Sequence, residues 1–141
     1  MVFVMITEDV ITYLGQSKVG VIATLRRDGS PHAVPVWHRF DGESILVWTE
    51  KHRVWVNNVN RDGRVAFSVQ DDSPPFAALV MRGTATATDR LDDSGLEAAK
   101  DISRRYLSED EVDGYVESYW PELHTFVRIV PETITLWRRG H

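Results

Sequence analysis

No cysteine occurs among the 141 residues, which excludes thiol catalysis, a cysteine-ligated zinc and a disulfide framework. Positive charge is also short: 16 Lys and Arg against 21 Asp and Glu leave a net charge of −5. That balance argues against nucleic acid or an anionic membrane as the main partner. No apolar run approaches the ~20 residues that a bilayer-crossing helix needs. The opening stretch Met1 to Ile6 is too short for a signal peptide and lacks its basic flank. A soluble, cytoplasmic protein without a membrane partner is the expectation, with Met5 as a second possible start. A glycine-rich phosphate loop, a G-x-S-x-G elbow and H-x-x-x-H spacing are all missing. The histidines, His32, His38, His52, His124 and His141, are scattered, so no metal site is expected. No residue is assigned as catalytic.

What is present reads as one domain over residues 1–141, long enough to bury roughly 70% of its unfolded surface, with no internal repeat. Thr7-Glu8-Asp9-Val10 offers a capped opening helix with Val10, Ile11 and Leu14 on one face. Val19 to Leu25 and His32 to Phe40 read as a hairpin around Arg27-Asp28-Gly29-Ser30. Pro35 inside the second strand belongs at an edge, at a bulge, or where the backbone faces something other than a strand. After the Asp41-Gly42 turn, Ser44 to Thr49 is a third strand, followed by a short helix from Arg53 to Asn60 and a fourth strand from Arg64 to Gln70.

Ala77 to Asp89 suits a long curved strand with Gly83 at a bend. Two helices follow. The first, Ser94 to Tyr106, is capped by Asp92 or Asp93, with Leu96, Ala99, Ile102 and Tyr106 on one buried face; the second runs from Glu109 to about Trp120. Thr125 to Val130 and Thr133 to Trp137 return to strand character around Pro131. About seven strands with tight turns and few helices favour a mainly β fold, a closed or split antiparallel barrel.

Two clusters carry possible chemistry. Thr49, Lys51, His52 and Arg53 gather donors where a strand meets a helix start, which is either an oxyanion site or a solvated polar turn. Val34-Pro35-Val36-Trp37 is an apolar strand broken by proline; it can lie against a flat ring, and Trp37 can equally be barrel filling. Five tryptophans in a domain of this size tilt toward a groove or an interface. His38 is expected near a strand end, half exposed.

In this order the segments resemble the pyridoxamine-phosphate-oxidase-like split barrels, in their branch of small flavin and deazaflavin oxidoreductases. The resemblance rests on ATLRRDGSPHAVPVWHRFDGESILVWT, then a basic helix start, N-x-x-R-D-x-R-V-A-F-S-V, a proline loop and R-G-T-A. It implies a homodimeric split antiparallel barrel with two cofactor grooves at the interface. The deazaflavin coenzyme F-420 is favoured, FMN is the alternative, and the other partner is an unidentified small organic substrate. By the same resemblance, Val34, Pro35, Val36 and Trp37 back the ring, Thr49 and Arg53 lie near the cofactor phosphate, and Asn58 matches the Asn of the family's R-x-K-x-R-N-L pattern. Here that pattern reads R-V-W-V-N-N-V, with Trp55 in place of the lysine and Asn57 in place of the arginine. Lys51 or His52 can compensate from the preceding loop, or Trp55 reshapes the pocket. A ring filling the phosphate end would favour a non-catalytic flavin- or haem-type binding protein on the same fold.

Overall fold

In the computed structural model the described residues are 4–138, so part of the Met1 to Ile6 stretch, and His141, lie outside them. Seven strands form one sheet, ordered β2-β1-β5-β6-β7-β4-β3, with every pairing antiparallel. The strands are β1 (Gly20–Leu25), β2 (Pro31–Val36), β3 (Arg39–Phe40), β4 (Ile45–Thr49), β5 (Arg64–Gln70), β6 (Ala77–Asp89) and β7 (Thr125–Arg138). The helices are α1 (Glu8–Leu14), α2 (Val54–Arg61), α3 (Asp93–Ser103) and α4 (Glu109–Tyr119).

Chain connectivity forces the sheet to curl. Strands β2 and β3 are its two ends, yet only Trp37 and His38 separate them in sequence. Three peptide steps span at most ~11 Å, so the two edges must come together around that pair. The expected single strand from His32 to Phe40 is therefore broken where the chain crosses from one edge to the other. Pro35, opposite Val21 of β1, lies on the edge strand β2, where a residue without an N–H is tolerated.

The closing segment departs from expectation in the opposite direction, since its two strands are one. β7 runs unbroken past Pro131 because the ladder shifts register there: Arg82 faces Thr133, Gly83 faces Pro131, and Glu132 is the extra residue. A bulge tolerates a residue without an N–H. Gly83 permits the close approach, since a Cβ on it would sit 2.2 Å from the Val130 carbonyl oxygen.

Two apolar clusters share the β4–β7 pair. Ile45, Val47, Val127 and Ile129 point into the barrel, where they meet Ile22, Phe67, Met81 and α2 residues Val56 and Val59. Leu46 and Phe126 point outward and are covered by Ala99, Ile102, Val112 and Val116 of the α3–α4 hairpin. Burial on both faces explains why β4 is nearly continuous in apolar residues. In α1, Thr7 caps the helix through its side chain, and Val10, Tyr13 and Leu14 are buried while Ile11 stays 47% exposed. Ile11 lies about a quarter-turn off the buried stripe. α3 ends at Ser103, so Tyr106 sits in the turn beyond it rather than on the helix. No helix among the described residues is long and apolar enough to cross a membrane.

Candidate ligand groove

The two sequence clusters meet in one groove of about 600 Å³. Val34, Pro35, Val36 and Trp37 form one wall, and Thr49, Arg53 and Trp55 line it from β4 and α2. The structure thus brings seven of the ten anticipated residues together. Lys51 and His52 are exposed and border an adjoining depression, which shares Arg53, Tyr115 and Leu123 with the groove. Asn58 is not part of either. Its Nδ2 donates to Thr24 Oγ1 at 3.0 Å, tying α2 to β1, and its Oδ1 accepts at 2.8 Å from the guanidinium of Arg61, which itself reaches the Leu25 carbonyl, so both ends of the amide are occupied. Asn57 is exposed.

Helix α2 opens toward this site without a side-chain cap, leaving its first N–H groups available to an anion. Arg53, the N-cap residue, has its side chain 62% exposed and its Nε 4.0 Å from Glu50, a loose contact that leaves the guanidinium able to turn to a ligand. Trp55 does not block the groove. It is only 6% exposed, packs in the barrel core and lines the groove from there.

Trp37 is held from behind. Tyr106 stacks on it with centroids 4.9 Å apart and planes 9° apart, and Tyr115 leans on it at 5.7 Å. The Tyr106 hydroxyl lies 2.9 Å from the Lys18 carbonyl, to which it donates, and accepts from the His38 N–H at 3.2 Å. His38 is fully buried rather than half exposed, edge-on to Phe67 at 4.9 Å. The reversal has a local cause: the chain turns inward at Trp37-His38 to join the two sheet ends. Burial, with the Arg105 charge adding, pushes the His38 pKa down to about 3.

Sequence reasoning passed over Tyr115 and His32, both of which line the groove. A signal existed for each. Tyr115 falls in step with the buried Val112 and Val116 on α4, and His32 alternates with Val34 and Val36 on one face of β2. Burial pushes the Tyr115 phenol up, with Tyr119 adding, so it remains a neutral donor. No cluster of three or more potential metal-ligating side chains occurs among the described residues.

Comparison with known proteins agrees with this architecture. A conserved hypothetical protein of Mycobacterium tuberculosis superposes with a TM-score of 0.79 at 25% identity, over 96% of this chain and 87% of that one. An F420 reductase superposes with a TM-score of 0.72 at 23% identity, over 92% and 98%; at that identity the likeness is one of fold. In sequence, 89 residues are 35% identical to a 5a,11a-dehydrotetracycline/5a,11a-dehydrooxytetracycline reductase of Streptomyces rimosus subsp. rimosus, covering 57% of this chain and 63% of the reductase. The curled seven-stranded sheet is a split antiparallel barrel. Residues 6–138 match the pyridoxamine 5′-phosphate oxidase family from before α1 to the end of β7, and the chain belongs to that family.

Proposed function

We propose that the protein is an oxidoreductase that holds a flavin-type cofactor in this groove, with the deazaflavin coenzyme F-420 ahead of FMN, and passes a hydride to or from a small organic substrate. The observation that carries the reading is the meeting, in one groove, of an apolar strand wall with an uncapped helix start beside Arg53. A flat ring needs the first and a phosphate needs the second. When bound, the cofactor supplies the hydride chemistry. The chain's own residues do the rest: the β2 edge from Val34 to Val36 excludes water from one side of the ring, Trp37 sets the slope of the wall, and Thr49 and Arg53 anchor the phosphate. The reductase names of the sequence relative and the structural neighbour support this choice of chemistry. Trp55 packs into the core at the edge of the groove rather than standing in it, which weakens the case for a non-catalytic binding protein. A cytoplasmic location goes with the same reading.

A homodimer is part of the proposal. The register sets Pro35, Val21, Ser68, Val80 and Thr135 side by side on the outer face of the sheet, with Ala33, Ala23, Ala66, Arg82 and Thr133 in the next row. This small, partly apolar face is continuous with the groove strand β2, and a second copy covering it would close the groove from outside. Analytical ultracentrifugation should show a dimer at micromolar concentration; a monomer would remove the interface. Titration with FMN and with F-420, followed by tryptophan quenching, tests the cofactor. Tight binding of either supports the oxidoreductase, and binding of neither overturns it.

A further inference from the structure

We propose that His32 is a specificity-determining hydrogen-bond donor of the groove, and that it recognises an acceptor, a carbonyl oxygen or bare ring nitrogen, on the edge of a flat ligand. The inference deepens the cofactor reading above and rests on it. The Arg26 guanidinium lies 3.0 Å from His32 Nδ1. A guanidinium can only donate, so Nδ1 is the acceptor in this contact and the ring hydrogen is on Nε2. With Nδ1 held by Arg26, Nε2–H is the free polar atom of a ring that lines the groove.

The surroundings make that donor count. His32 shares its face of β2 with Val34 and Val36, so along this wall it is a polar group on an otherwise aliphatic strip. Its strand is also held in place: Thr24, paired with His32 across β1 and β2, receives the Asn58 amide, and its hydroxyl lies 3.5 Å from the His32 carbonyl. The residue that resemblance assigned to the cofactor therefore acts one step behind, bracing the strand from which His32 projects. Thr49 and Arg53 line the groove from β4 and from the N-cap of α2, and His32 adds a donor from β2. The ligand this pattern fits has an anionic group, a flat apolar body and an acceptor-bearing edge. Arg26 is a positioning residue, acting only through the tautomer it imposes.

The test uses the full-length protein, with FMN and its phosphate-free counterpart riboflavin as one probe pair and F-420 and its phosphate-free chromophore as the other. His32→Leu should weaken both members of a bound pair by the same factor, about 3- to 10-fold, whereas Arg53→Ala should weaken only the phosphorylated member. Arg26→Leu should lower affinity by about 2-fold, less than the loss of a whole hydrogen bond, because the donor itself remains. Nitrogen-15 NMR of the imidazole rings provides a readout independent of activity: the His32 proton should be on Nε2 in the ligand-free protein, and that resonance should move when the ligand is added. Unchanged affinity in a folded His32→Leu variant, or a proton on Nδ1, overturns the donor assignment alone. Absence of binding by the unaltered protein to any of the four probes overturns the cofactor reading and the donor assignment with it.

Discussion

The barrel interior and the α3–α4 hairpin are both apolar cores built on the same two strands, yet they are made differently. The barrel core draws Ile22, Phe67, Met81, Ile45 and Ile129 from five strands distant in sequence, and its members are almost completely buried. The hairpin core is smaller and more local, with four of its six buried residues between Ala99 and Val116. The groove runs along the seam between them, with Val47 and Trp55 belonging to the first and Ile102 and Tyr115 to the second. A rigid sheet thus supplies one wall and a separately packed helical unit supplies another. The difference teaches that the groove can be reshaped through the hairpin without disturbing the strand ladder.

The largest expected effect tests the barrel side. Phe67→Ala removes a ring that is 1% exposed in the barrel core and should cost about 3–5 kcal/mol in urea unfolding. A loss below 1 kcal/mol would mean that the two cores contribute alike. Next comes acid sensitivity at the joint between them, where His38 touches Phe67 on one side and Tyr106 on the other. Its folded pKa, about 3, is below the ordinary 6.5, so the unfolded chain takes the proton first. This contribution to stability is complete above pH 6.5 and falls by about 1.4 kcal/mol for each pH unit below it, down to about pH 3. His38→Asn should flatten that part of the profile, measured by chemical denaturation at each pH.

Smaller effects belong to the groove itself. Arg53→Ala should weaken binding of the phosphorylated cofactor by about 1–3 kcal/mol while leaving the unfolding midpoint unchanged, because the side chain is exposed and only loosely paired. Smallest is the hairpin substitution. Ile102→Val should lower stability by about 0.5–1.5 kcal/mol, with a change in ligand affinity that Phe67 variants, measured where they are still folded, do not show. Equal affinity changes in both would erase the distinction between frame and adjustable wall.

Much of this arrangement was legible in the residues. The Thr7 cap, the Asp28-Gly29 and Asp41-Gly42 turns, the Gly83 bend and the helix following Arg53 all sit where local chemistry puts them. The strand count came out at seven through two compensating differences, since the His32 to Phe40 strand is divided and the two strands around Pro131 are one. Both differences arise where a neighbouring strand, rather than local preference, decides whether the backbone continues. His38 shows the same effect in a single residue: nothing in Trp37-His38-Arg39 reveals that the pair bridges the two edges of a sheet.

Local chemistry therefore determined the elements, their order and the two clusters that meet in the groove, because caps, turns and alternation are encoded within a few residues of where they act. Tertiary structure alone decided which polar groups face that groove. It turned Asn58 inward to brace β1, left Lys51 and His52 on an adjoining surface, and brought His32 and Tyr115 to the wall. Those outcomes depend on the curl of the sheet at Trp37-His38 and on the docking of α3–α4 against β4 and β7. Both are long-range packing events, to which the spacing of residues along the chain gives no access.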